Sequence, residues 1–339
     1  MADTKVLSCK AIGELFGVKG EKFQRQYKHK TSGFKQWDQQ EHAQDWLLYP
    51  ENITNQLSID EVCLSMGELY TILTSKAGKG QKKTIVAIVK GTKSDTVIKH
   101  LSKLPKKLRD KVTEITLDMA GAMKQIAKKC FPKAVQVIDR FHVQKLVSEA
   151  VQDIRIKYRW AELDAENTAV LKAKEEGIIY NPEILSNGDT KKQLLVRSRS
   201  LLYKNQINWT SDQQERAKVL FELYPEIKQA YLLANNLRQI YNLQIDKEIA
   251  MTKLAHWFND IEKASLKHFS TVLKTFNVHY NEIINYFINR STNASAKSFN
   301  AKIKYFRMMY RGVRDKKFFR INVKSWGGKC KIISLCYDG

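Results

Sequence analysis

Leu57-Ser-Ile-Asp-Glu-Val62 and Ile115-Thr-Leu-Asp-Met-Ala-Gly121 each set an aspartate, Asp60 and Asp118, at or just after an apolar strand run. The segments around them share the period-2 apolar signal of strands. Ile59, Val62 and Leu64 mark the first strand, Leu69, Ile72 and Leu73 a second, and residues 84–89 a third. Residues 75–83 carry Gly78 and Gly80 among Lys76, Lys79, Lys82 and Lys83, which predicts a polar hairpin loop. Val97, Ile98 and Leu101 then fall on one helical face, with Ser94 and Asp95 expected at its capped, negatively charged start. A fourth strand is expected over 112–117. A helix over 119–130 follows, with Met123, Ile126, Ala127 and Cys130 inward and Pro132 at its end. A fifth strand over 134–138 leads through Asp139-Arg-Phe-His142 into another helix.

Three strands, helix, strand, helix, strand is the order of an RNase H-like mixed sheet, and the two parallel additions obey the usual crossover rule. Beyond residue 150 glycine and β-branched runs become scarce and helical patterns dominate. Leu220, Leu223, Ile227, Ala230, Tyr231, Ala234 and Leu237 form one stripe, and Trp257, Ile261, Ala264 and Phe269 suggest another. The expected class is therefore α/β: an RNase H-like mixed β-sheet flanked by helices, interrupted by a large α-helical insertion, with a short N-terminal helical segment. The expected divisions are a helix-turn-helix-like DNA-binding segment (1–50), the first part of the catalytic domain (55–150), the helical insertion (151–290), a closing helix (291–320) and an irregular tail (321–339). Residues 8–29 fit a DNA reader, with Ala11, Ile12, Leu15 and Phe16 before the Gly17-Val-Lys-Gly20 break. They fit an ordinary pair of short amphipathic helices equally well.

The chain has 339 residues with 58 Lys+Arg against 35 Asp+Glu, a formal net charge of +23. A charge of that size argues about partners rather than fold, and the partner it favours is a polyanion such as nucleic acid. Hydrophobic residues at 43% exclude a disordered basic tail protein. No run of about 18 apolar residues is present, so no membrane span is expected. Five cysteines, scattered and without paired ligand spacing, exclude a structural zinc site and predict a reducing, cytoplasmic location. No nucleophile elbow, metal-binding His pair or triad spacing supports a protease or glycosidase.

Phosphodiester cleavage by two divalent ions, about 4 Å apart, needs carboxylates from different elements converging at one sheet edge. Asp60 and Asp118 sit where they can do so. A strand-end aspartate is also a common turn or cap residue, so the pair alone leaves both readings open.

Four spaced motifs carry more. Ser58-Ile-Asp-Glu61, Leu117-Asp-Met-Ala-Gly121, Val137-Ile-Asp-Arg-Phe-His-Val-Gln-Lys-Leu146 and Ser291-Thr-Asn-Ala294, the last followed by Asn300-Ala-Lys-Ile-Lys304, occur in that order. Over residues 8–320 the chain resembles the DDE-type insertion-sequence transposases of bacteria. The resemblance implies an RNase H-like catalytic domain and a two-ion Mg²⁺ (or Mn²⁺) site. It also implies nicking at transposon ends followed by attack of the freed 3′-hydroxyl on target DNA. It places the first two acids on Asp60 and Asp118, which would be the metal ligands. Glu61, Asp139 and His142 fall on family positions that either support the ligands from behind or serve the fold. The partners implied are double-stranded DNA (terminal inverted repeats and target) and further copies of the chain; the shortness of the N-terminal helix pair leaves room for an N-terminal partner encoded upstream.

One position departs from the pattern. The family's closing helix opens with a glutamate as its third acid, and here Lys297 stands in that place. An ammonium has no lone pair for a metal and repels a dication. Neither Asp315 nor Glu282 replaces it in the same helix register. From Lys297 to Lys331 the chain has twelve basic residues and one acid, with Tyr305, Phe306, Tyr310 and Phe318 interleaved. Lys302, Lys304, Arg307, Arg311 and Arg314 are the expected phosphate contacts. Three readings follow: a transposase, intact or defective; a catalytically inactive DNA-binding derivative that regulates its element; and a nuclease of the same fold, which would need neither the insertion nor the Ser-Thr-Asn-Ala helix.

Overall fold

The computed structural model describes residues 9–31, 34–65, 67–78 and 84–309. The chain divides into two compact units, one built from the residues up to Asp139 and from Ser291 onward, the other from Arg140–Arg290.

The first unit holds one six-stranded mixed sheet: β1 (Trp46–Leu48), β2 (Gln56–Ser65), β3 (Glu68–Ser75), β4 (Ile85–Lys90), β5 (Glu114–Leu117) and β6 (Val135–Ile138). The spatial order is β1-β4-β3-β2-β5-β6. β2, β3 and β4 form an antiparallel meander, while β5 and β6 add in parallel beside β2. Helices α1 (Cys9–Leu15) and α2 (Gly20–Gln26) precede the sheet. Helices α3 (Ser94–Leu101), α4 (Lys106–Arg109) and α5 (Gly121–Cys130) provide the connections into β5 and β6. This is an α/β, RNase H-like architecture, as the element order predicts. β1 is not foreseen: three residues are too short to show alternation, and its place is set by pairing with β4.

Several local readings are corrected. The fourth strand begins at Glu114 and the following helix at Gly121, because the Asp118 carboxylate accepts the Ala120 amide and holds a turn there. Ser94 does not cap α3; its N-cap is Lys93, with no side-chain bond. Lys76 is not a solvated loop residue, as described below. Ile12 is buried, but Leu15 and Phe16, 69% and 61% exposed, do not share its burial.

The sheet is covered on one face by α13 (Ala294–Met309), which belongs to the first unit. Its residues Phe299 and Ile303 join Val62, Tyr70, Ile72, Ile85 and Ile88 of the strands, together with Phe34, Trp37 and Leu47, in one apolar cluster. Residues at spacing 0, 3 and 7 (Ala296, Phe299, Ile303) make the helix's buried stripe, as helical periodicity requires. Leu57, Ile59, Ile115 and Leu117 alternate onto the opposite face and are fully buried there.

The second unit is all helical: α6 (Arg140–Glu175), α7 (Lys191–Arg197), α8 (Ser211–Leu223), α9 (Pro225–Asn242), α10 (Lys247–Ala264), α11 (Lys267–Ile284) and α12 (Tyr286–Asn289). Val143, Val147, Ala150, Val151 and Ile154 form the inward stripe of α6. The expected stripe from Leu220 to Leu237 is two helices, not one. Pro225 cannot donate into α8 and starts α9 instead, leaving Leu223 exposed. The second stripe breaks likewise at Ser265, which closes α10 in the left-handed region (φ 53°). Asp189 anchors the loop before α7: its buried carboxylate receives Arg197 and Arg216.

Candidate active site

The strand register decides the geometry. Ser58 pairs with Thr116 across β2 and β5, and Leu117 with Ile138 across β5 and β6. Continuing the first register by two residues sets Asp60 beside Asp118. Continuing the second by one sets Asp118 beside Asp139. Three aspartates thus stand in one row across three adjacent parallel strands, Asp60 inside β2 and Asp118 and Asp139 just past the carboxyl ends of β5 and β6. The period-2 alternation turns them to the face that α13 covers. Carboxyl ends of parallel strands are where α/β sheets usually place their ligand sites.

α13 meets that row with the flank beside its buried stripe. Lys297 and Asn300 are three apart and therefore share a side of the helix. Lys297 Nζ lies 2.6 Å from Asp139 Oδ2, and Asn300 Nδ2 donates to Asp60 Oδ2 at 2.8 Å. Backbone amides add to these contacts: Glu61 N–H donates to Asp60 Oδ1 and Ala120 N–H to Asp118 Oδ1, both at 2.9 Å. Glu61 belongs to the same electrostatic site. Partial burial, then the nearby Asp118 and Asp60 carboxylates, push its pKa above the ordinary glutamate value.

A second polar layer sits under the start of α13. Ser291 Oγ donates to Glu114 Oε1, and Ser58 Oγ donates to Asn293 Oδ1. Asn293 also caps the helix, its carbonyl accepting the Lys297 amide at 2.8 Å. Lys76 Nζ reaches Glu114 at 3.0 Å and Thr116 Oγ1 besides. Burial draws the Lys76 pKa down, while the Glu114 charge and hydrogen bond act the other way. The Ser-Thr-Asn-Ala motif thus has a physical meaning: its serine and asparagine fasten the returning chain to β5 and β2.

The row offers the carboxylates of Asp60, Asp118 and Asp139, with Glu61 beside them, and the Lys297 ammonium stands against Asp139. Among the described residues no group of three or more His, Cys, Asp or Glu side chains is close enough to hold one metal ion. Asp60 and Asp118 are hard oxygen donors of the kind Mg²⁺ prefers. The Lys297 ammonium is unfit as a ligand and already engages Asp139.

The sequence profile of a transposase family matches residues 57–323. The chain belongs to that family, the insertion-sequence DDE transposases. Searches of curated proteins and of solved structures each return no match. Transposases of this family bind DNA and use a divalent metal. No helix among the described residues of this transposase is long and apolar enough to cross a membrane.

The expected site residues are distributed as follows. Asp60, Asp118, Glu61, Asp139 and Lys297 come together in the first unit. His142 lies on α6 of the helical unit, edge-on to Phe141. Lys304 is exposed on α13. Arg311 and Arg314, and the side chains of Lys302 and Arg307, lie outside the described residues. The helical periodicity of the closing segment already sets Asn300 on the same flank as Lys297, and the structure brings it to Asp60; Glu114 and Lys76 are missed by sequence reasoning. Glu114 had a signal: it alternates with Thr116 and Asp118 on one strand face, where a charge needs a buried partner.

Proposed function

We propose that this chain is an insertion-sequence transposase whose DNA binding is intact and whose strand cleavage and transfer are largely disabled. Asp60 and Asp118 would hold the divalent metal, which supplies charge stabilisation to the phosphodiester. Asn300 orients Asp60 and the Ala120 amide orients Asp118. The observation that carries the reading is the Lys297–Asp139 ion pair, which occupies the place of the third acid with a cation. The same pair favours, as a second reading, a regulator that occupies its element's ends without cutting them.

The test is strand cleavage of the element's own end DNA with Mg²⁺ or Mn²⁺, comparing the chain with Lys297→Glu. Cleavage by the Glu variant alone supports the proposal. Full cleavage and strand transfer by the unaltered chain would sink it. Cleavage by neither, with DNA bound by both, favours the regulator.

DNA binding itself should be steeply salt-dependent. If Lys302, Lys304, Arg307, Arg311 and Arg314 each neutralise one phosphate, log K should fall with log salt at a slope near −4.5. Affinity then drops about 500-fold between 50 and 200 mM salt. A flat fluorescence-anisotropy response across that range would remove this surface from the proposal.

A further inference from the structure

Asn300 is more than 90% buried, and its amide nitrogen is committed to Asp60. Its side-chain oxygen accepts no hydrogen bond among the described residues. An unmatched buried carbonyl costs about 1–3 kcal/mol, so an oxygen held this way beside a carboxylate row calls for a function. It is a neutral, hard donor on the same amide group that touches Asp60, the type of ligand that joins carboxylates around Mg²⁺ or Mn²⁺. At the other end of the row, Lys297 places a full positive charge against Asp139. That charge meets the demand of Asp139 and repels any dication approaching that end.

We propose that the acid row takes a single divalent cation, held by Asp60, Asp118 and the side-chain carbonyl of Asn300, while the Lys297 ammonium stands at Asp139 in place of a second. The inference rests on the transposase reading for the identity of the cation. It goes beyond that reading in fixing the stoichiometry and in adding Asn300 to the ligand set. It also makes the docking of the α13 flank on Asp139 independent of metal.

The test is Mn²⁺ titration of the full chain without DNA, by calorimetry and by electron paramagnetic resonance. The unaltered chain and Lys297→Met should each bind one Mn²⁺, and Lys297→Glu two. Asn300→Leu should weaken the single site by about 10–100-fold. Asn300→Asp, which keeps an oxygen but loses the N–H donor, should bind more tightly than Asn300→Leu. Two ions on the unaltered chain, or none while circular dichroism shows it folded, would overturn the proposal. Binding by Asn300→Asp weaker than by Asn300→Leu would also overturn it, by restricting Asn300 to its N–H bond with Asp60. One ion bound with vigorous DNA cleavage would overturn the reduced-turnover reading and leave this one standing. Two ions bound with no cleavage would do the reverse.

Discussion

Lys297→Glu is expected to raise metal-dependent cleavage of the element's end DNA by at least about 100-fold, and Asp118→Asn added to it to return cleavage to background. Charge stabilisation by a correctly placed ion is worth several kcal/mol at the transition state, and each 1.36 kcal/mol is tenfold in rate. The substitution acts twice. It removes a cation that faces Asp139 at 2.6 Å, and it supplies a carboxylate on the α13 flank where Asn300 already reaches Asp60. Without metal the new Glu and Asp139 repel each other, so the variant should melt earlier than the parent chain in EDTA and recover on addition of Mg²⁺. Lys297→Met separates the two effects, because it removes the ammonium without adding a ligand. Rescue by Met equal to that by Glu would show that the ammonium, not the missing carboxylate, limits the reaction. Persistence of cleavage in the Asp118→Asn double variant would show that the acids named here are not those the reaction uses.

Much of this frame is legible in the residues because its signals are periodic. Leu57, Ile59, Ile115 and Leu117 are apolar at every second position, and the parallel addition of β5 and β6 follows from their helical connections. Asp118 is legible for the same reason, as a carboxylate just past such a run, whereas Asp60, read as a strand-end acid, lies inside the longer β2. The flank of α13 that carries Lys297 and Asn300 follows from the stripe of Ala296, Phe299 and Ile303. What is not legible depends on contacts between segments far apart in sequence. Lys76 sits among lysines and glycines that read as a loop, and only its contacts with Glu114 and Thr116 reveal that it turns inward and is half-buried. Asp139 reads either as a support for the ligands or as a residue serving the fold until the register of β5 and β6 sets it beside Asp118. The break between α8 and α9 turns on one proline inside a continuous apolar pattern, where backbone chemistry overrides periodicity.

Glu114→Leu is expected to cost about 3–5 kcal/mol, roughly a 10 °C fall in melting temperature, although Glu114 touches none of the reacting groups. Its side chain is 4% exposed and that of Lys76 12%, so both charges are largely inside the protein and each offsets part of the other's desolvation. Removing the carboxylate strands the ammonium beside Thr116 and takes from Ser291 its hydrogen-bond acceptor. An ion pair buried this deeply contributes little net stability, because desolvation offsets its Coulomb attraction. Lys76→Met combined with Glu114→Leu should therefore recover most of the loss. A double variant as unstable as Glu114→Leu alone would contradict that account and place the cost in the Ser291 bond. The two explanations also differ at the site. Ser291→Ala in an otherwise unaltered chain keeps the ion pair but loosens the start of α13. It should leave the melting temperature within a few degrees while exposing the segment before Asn293 to limited proteolysis. If Ser291→Ala instead melts as early as Glu114→Leu, the Ser-Thr-Asn-Ala motif holds the sheet together, and is more than the clasp that brings Lys297 and Asn300 to the acids.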